Sequence, residues 1–111
     1  MPTILRDNFK VNFDRIINTF NLKGMVISSL SQIDLLKKYN LDLIGNYTLN
    51  AYNSYTINVL KDFGIKYLCI TPELNDKLTK EQIDFSSIPL ELFVYGRIPL
   101  MTMNYCLLRL F

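Results

Sequence analysis

Residues 91–106 carry the side chains of this sequence that are best suited to chemistry. A strand-like stretch leads into a glycine and Arg97, and a guanidinium at a strand end can bind phosphate or carboxylate through its planar fork. An ion pair with Glu91 or Glu73 accounts for Arg97 equally well. A soft thiol, that of Cys106, closes the segment after a proline-containing loop. The segment therefore predicts a site at a strand end that contains Arg97 and the Cys106 thiol.

Glu73 is the second candidate for chemistry, because it follows Pro72 directly after a strand-like run. A carboxylate in this place can act in acid–base chemistry, and it can equally stabilise the start of a helix through the helix dipole. The sequence contains no histidine, which excludes Ser-His-Asp and Cys-His arrangements and any imidazole metal site. We therefore expect Glu73 and Arg97 to be the catalytic candidates, and a self-contained hydrolase to be hard to build.

Amide and phenol side chains cluster between residues 46 and 54. Such groups can hydrogen-bond to nucleobases and stack on them, which suits an RNA substrate. They suit helix capping and turns equally well, because Asn and Ser compete for backbone hydrogen bonds. The substrate-binding residues that we predict are Tyr47, Asn50, Asn53 and Tyr95.

Length and composition indicate one folded domain over residues 1–111. Half of the residues are hydrophobic, and the net charge of +2 comes from interspersed basic and acidic residues, which argues against a dedicated polyanion-binding surface. No apolar run approaches the roughly 20 residues of a membrane helix, and the first ten residues lack the apolar core of a signal peptide. We expect a cytoplasmic protein with reduced cysteines, of which Cys69 is a buried strand residue.

Helical and strand-like patterns alternate along the chain. The predicted helices are 8–20, 31–38 with Ser31 as a cap, one that begins at Asn50 or Asn53 and ends at Phe63, and 79–83 with Thr79 as a cap. The predicted strands are 25–28, 41–44, 65–70 and 92–95. Crossovers of this length join parallel strands. The spacing of about 20–25 residues is that of a TIM-type (β/α) barrel, of which four strands are half. We therefore predict an α/β fold, a partial barrel that is either a fragment of a longer protein or pairs with something else.

Three ordered segments resemble peptidase family U32, the collagenase-like peptidases. They are the run GNYTLNAYNS at 45–54, the run TPEL at 71–74 and the run ELFVYGRIPLMTMNYC at 91–106. The resemblance covers residues 42–106, and the order of the segments makes it more specific than any one of them.

The resemblance implies a barrel whose strand ends carry the site. Members of the family are associated with proteolysis, and many with hydroxylation of RNA bases or of a quinone precursor through an iron–sulfur cluster held by four cysteines. Cys106 matches one cluster cysteine, whereas Pro99 stands where another is expected, and Leu107 replaces a proline that commonly follows. One ligand of four cannot hold a cluster. We therefore expect no cofactor in this chain alone and Cys106 to be a metal ligand only in a completed site.

The predicted function is that of a U32-like fragment, inactive alone, that contributes the Glu73, Arg97, Cys106 wall of a site for RNA or peptide. The rest of the barrel would come from further polypeptide. Two alternatives stay open: a metal-independent protease unit, and a non-enzymatic binding module that closes its sheet as a homo-oligomer. Whether the chain is an enzyme by itself is left open, and no membrane partner is expected.

Overall fold

The structure, a computed structural model, describes residues 13–101, which form an α/β fold of four parallel strands alternating with helices. The elements in chain order are α1 (Phe13–Phe20), β1 (Gly24–Ile27), α2 (Ser31–Leu36), β2 (Asp42–Gly45), a 3-10 helix (Tyr47–Leu49), α3 (Ser54–Asp62), β3 (Ile65–Cys69), α4 (Asp76–Phe85) and β4 (Leu90–Glu91). The predicted fold class is confirmed at this level, and the predicted start of the first helix at residue 8 lies outside the described residues.

The four strands pair in the order in which they follow one another, β1-β2-β3-β4. All three pairings are parallel, and the row Ile27, Gly45, Leu68, Leu90 runs across the whole sheet. Because the order is sequential, every crossover steps in the same direction, and right-handed crossovers then place the helices on one face. All four strand carboxyl ends therefore meet at one edge of the sheet.

The core lies between the sheet and helices α2 and α3. Its buried residues come from the strands, from these two helices and, for Ala51, from the segment before α3; they are Ile27, Ile33, Leu36, Leu43, Ala51, Ile57, Leu60, Ile65 and Leu68. On the opposite face, the row Val26, Ile44, Tyr67 is more open, and 43% of Val26 and 42% of Tyr67 are exposed. Cys69 is a residue of β3, as predicted, but its side chain is half-buried, so the prediction that it is buried is wrong.

Two asparagines, Asn53 and Asn75, cap the amino-terminal ends of helices α3 and α4. The Asn53 side chain accepts a hydrogen bond from the backbone N–H of Thr56, which confirms Asn53 over Asn50 as the start of α3. Asn75 accepts from the N–H of Leu78 in the same way, so α4 begins three residues before the predicted cap Thr79. Asparagine caps because its side-chain oxygen satisfies an N–H of the first turn that has no partner within the helix.

Helix α2 begins without a side-chain cap, and the predicted cap Ser31 is instead its first residue. The buried Gln32 side chain makes a different contact: its Oε1 accepts a hydrogen bond of 2.8 Å from the backbone N–H of Ser28, which lies before the helix. This contact ties the end of β1 to the start of α2.

The fourth strand is Leu90–Glu91, directly before the predicted strand 92–95, so that prediction is wrong. Leu90 and Glu91 pair with the last two residues of β3, and the N–H of Ile70 donates to the carbonyl of Glu91 at 2.9 Å. Strand β3 ends at Cys69, so residues 92–95 have no strand residues opposite them with which to pair. Val94 and Tyr95 are 83% and 94% exposed. The alternation of apolar residues in this segment is therefore not enough to make it a strand.

No helix among residues 13–101 is long and apolar enough to cross a membrane.

Candidate functional site

A cleft of about 400 Å³ lies at the carboxyl ends of β2, β3 and β4. It is lined by Tyr47, Thr48, Asn50, Thr71, Pro72, Glu73, Ile98, Pro99 and Leu100. Each of the three loops that follow these strands supplies one wall, which is where ligands bind in parallel α/β sheets. Topology alone therefore accounts for the place of the cleft.

The wall after β2 is fixed to the neighbouring strand β1. The backbone N–H of Asn46 donates to the carbonyl of Ile27 at 2.8 Å, and the Thr48 hydroxyl donates to the carbonyl of Ser28 at 2.9 Å. The Asn46 side chain also caps the 3-10 helix by accepting from the N–H of Tyr47. These contacts hold Tyr47 and Thr48 in position at the mouth of the sheet.

Asn50 ends the 3-10 helix in the left-handed region, with φ 53° and ψ 47°. Glycine and asparagine adopt this conformation readily, whereas a β-branched residue is strained in it. The conformation turns the chain from the cleft wall towards α3.

We expect Asn50→Val to lower the free energy of unfolding by about 1–2 kcal/mol, because a β-branched side chain is strained at positive φ. Asn50→Gly should stay close to the wild type, since glycine needs no strain there. Denaturation in urea measures both variants. Equal stability of the valine and glycine variants would contradict a left-handed Asn50.

Glu73 lies in the turn after β3, and Tyr52 holds its side chain. The Tyr52 phenol donates a hydrogen bond to Oε2 of Glu73, across 21 residues of sequence. This hydrogen bond is the main cause that raises the pKa of Tyr52 above its usual value, with desolvation as the next cause. Because α4 begins only at Asp76, Glu73 is not a residue of the helix start. Its side chain belongs to the lining of the cleft.

The third wall, residues 98–100, is apolar. Leu100 is 96% exposed and Ile98 is 37% exposed, so this wall offers apolar surface to a ligand. Pro99, which the resemblance places at a cysteine position, belongs to this wall.

The structure brings three of the predicted site residues together and separates the others. Tyr47, Asn50 and Glu73 line the cleft. Tyr95 and Arg97 are exposed and are not among its lining residues. Within residues 13–101, Arg97 forms no ion pair with Glu91 or Glu73. Cys106 lies outside the described residues.

Asn53 is a helix cap rather than a cleft residue. It lines a separate pocket of about 150 Å³ with Tyr52, Ser54, Leu78, Glu81, Gln82 and Phe85. Gln82 is only 3% exposed there, and its Nε2 donates to the carbonyl of Ala51 at 3.1 Å. This contact fixes α4 to the segment that carries Tyr52.

Cys69 and Glu91 are neighbours across the end of the β3-β4 pair. Burial is the first cause that raises the pKa of the Cys69 thiol, and the negative charge of Glu91 adds to it. The thiolate is the reactive form of cysteine, so a raised pKa keeps this side chain protonated at neutral pH. Among the described residues there is no group of three or more cysteine, aspartate or glutamate side chains that could hold a metal ion.

Sequence reasoning did not select Thr48, Thr71, Ile98 or Leu100, which also line the cleft. Their common signal is position, because each lies in a segment that follows a strand: Thr48 and Thr71 within three residues of the strand end, and Ile98 and Leu100 seven and nine residues after it. Tyr52 stood in the predicted polar cluster, but its hydrogen bond to Glu73 depends on the packing of α3 beside β3.

Comparisons of the chain with models of protein families, with curated proteins and with solved structures each returned no match. They give the resemblance to peptidase family U32 no support, and it stays a prediction.

Proposed function

We propose that this chain forms one wall of the substrate site of a (β/α) barrel that resembles the U32 peptidases, and that it is inactive without the rest of that barrel. The observation that carries the proposal is the cleft at the strand carboxyl ends, where the loops after β2, β3 and β4 meet. These loops belong to the three segments on which the resemblance rests. Four parallel strands in sequential order are half of the eight that close such a barrel.

In this proposal, Tyr47 and Asn50 contact the substrate, and the Glu73 carboxylate takes part in proton transfer or orients the substrate. Arg97 lies outside the cleft of the described residues. In this proposal it therefore contacts substrate only when the rest of the barrel is present. The substrate is a peptide or an RNA, according to the resemblance.

The iron–sulfur cluster that the resemblance implies does not fit the side chains of this chain. A cluster needs four thiolates or comparable ligands, and the sequence has two cysteines, of which Cys69 is a half-buried thiol of raised pKa. Cys106 can contribute one ligand to a site completed by other polypeptide. No chemical step of this chain is derived through the cluster.

The test is binding of labelled probes to the 111-residue chain by fluorescence anisotropy. A Gly-Pro-rich peptide and a short single-stranded RNA serve as probes, and we expect one of them to bind without being cleaved. Tyr47→Ala should weaken binding about tenfold, since loss of an aromatic contact costs about 1–3 kcal/mol. Tyr55→Ala is the matched control, because Tyr55 is 82% exposed on α3 and outside the cleft.

Three results would contradict the proposal. Absence of binding by every probe would show that the cleft is not a substrate site. Equal effects of Tyr47→Ala and Tyr55→Ala would place the binding elsewhere. Peptide cleavage by the chain alone, resistant to chelators and lost in Glu73→Gln, would support the protease alternative instead.

A second candidate function is a non-enzymatic module that closes its sheet by homo-oligomerisation. It is favoured by the strands β1 and β4, which end the described sheet on either side, and by the exposure of Val26 and Tyr67. Light scattering separates the two candidates, because a monomer in solution contradicts the module and a stable oligomer supports it.

A further inference from the structure

We infer that the cleft takes a peptide segment with a lysine or arginine side chain, whose cation meets the carboxylate of Glu73. This inference rests on the proposed function in one respect, namely that the cleft is a substrate site. It adds the class of substrate, which the proposed function leaves between peptide and RNA.

The charge of the lining is the first argument. Among the nine described residues that line the cleft, Glu73 is the one charged residue, and none is a lysine or an arginine. RNA binding depends on cations that neutralise phosphates. An RNA or an acidic peptide would meet the Glu73 carboxylate here, and no described lining residue is a cation that could compensate the repulsion. A cationic ligand is attracted to the same lining.

The geometry of the carboxylate is the second argument. Tyr52 donates to Oε2 of Glu73, and this is the hydrogen bond that the described residues make to the carboxylate. Oε1 therefore remains able to accept from a ligand, and a carboxylate oxygen can accept more than one hydrogen bond. Tyr52 restricts the rotamers of Glu73 before a ligand arrives, which lowers the entropy cost of binding.

The rest of the lining suits the stem and backbone of such a ligand. Lysine and arginine have apolar stems that pack on apolar surface while the charged head is solvated or paired. Pro72 and residues 98–100 supply that surface, and the Tyr47 ring can attract a cation through its face. Asn50 adds an exposed polar side chain that can hydrogen-bond to a peptide backbone.

The test uses three labelled Gly-Pro-rich peptides that differ at one central residue: lysine, acetyl-lysine or glutamate. The lysine peptide should bind the wild-type chain about two- to fivefold more tightly than the acetyl-lysine peptide, the range for an exposed charge pair. Glu73→Gln should abolish this preference, whereas Glu81→Gln, a charge-matched change outside the cleft, should keep it. Glu73→Lys should reverse the preference towards the glutamate peptide.

The outcomes separate this inference from the proposed function. Equal affinity for the three peptides, or tighter binding of a short single-stranded RNA, would overturn the inference and leave the cleft as a binding site. A preference for lysine that persists in Glu73→Gln would also overturn it. Failure of all four probes to bind would contradict the proposed function itself. Circular dichroism of each variant confirms that the fold is retained, since Glu73 is an exposed residue in a turn.

Discussion

A glutamate in place of Gln82 is expected to destabilise the fold by roughly 4 kcal/mol at about pH 7. Gln82 is 3% exposed, and its Oε1 has no hydrogen-bond partner among the described residues. A carboxylate there would be buried without a cation, and burial raises the pKa of a glutamate by up to about 3–5 units, each of about 1.4 kcal/mol. It would also lose the donor that Nε2 offers to the carbonyl of Ala51.

The destabilisation of Gln82→Glu should depend on pH and be largest at neutral pH. In Gln82→Glu the folded state binds a proton more tightly than the unfolded state, so the free energy of unfolding falls as pH rises from about 4 towards the raised pKa. Below about pH 4 both states are protonated, the carboxyl can donate to the carbonyl of Ala51, and most of the stability should return. Urea denaturation from acid to neutral pH measures the effect.

The control for this prediction is Asn58→Asp, which adds the same charge at an exposed position on α3. It should change the free energy of unfolding by about 0.5 kcal/mol or less at neutral pH. If Gln82→Glu were as stable as this control, residue 82 would be reached by water, and α4 would not pack on Ala51 as the structure has it.

The sequence predicts the order of elements and the edge of the sheet where the site lies. Buried strands that are joined by helices form a parallel sheet. The carboxyl ends of the strands in a parallel sheet lie at the same edge. Tyr47, Asn50 and Glu73 each follow such an end, so their meeting in one cleft follows from local pattern and topology.

The bounds of β4, the cap of α4 and the long-range hydrogen bond to Glu73 could not be predicted from the sequence. Local pattern allows several alternatives for each, and tertiary packing selects one. Residues 92–95 alternate as a strand would, but pairing ends where β3 ends, at Cys69. Asn75 and Thr79 are both suitable helix caps, and the structure selects Asn75. The hydrogen bond from Tyr52 to Glu73 joins two loops that are distant in sequence, and only the packed fold places them side by side.

Leu68→Ala is expected to lower the free energy of unfolding by about 2–5 kcal/mol. Leu68 is 1% exposed in the middle of the core, and alanine would leave a cavity there. Gly45, its neighbour on β2, explains why this leucine fits: a methyl group on Gly45 would lie 2.6 Å from Cδ1 of Leu68 and 2.9 Å from Cδ1 of Leu49. Gly45→Ala alone should therefore cost about 1–3 kcal/mol through overpacking.

The two changes together should cost less than their sum by about 1 kcal/mol or more. The reason is that Leu68→Ala removes the nearer of the two atoms that the methyl group added by Gly45→Ala would meet, and this methyl group fills part of the cavity. Calorimetry or urea denaturation of the four proteins in this double-mutant cycle gives the interaction energy. Gly45→Ala combined with Ile17→Ala is the control and should be additive, since Ile17 on α1 lies outside the core cluster.

Additivity of the Gly45 and Leu68 changes would mean that these residues do not face each other, and that β2 and β3 pair in a different register from Gly45 opposite Leu68. A different register would also shift Glu73, which follows β3, relative to Tyr47, which follows β2. Because the cleft is built from the loops after these two strands and β4, this measurement of stability tests the geometry of the cleft as well.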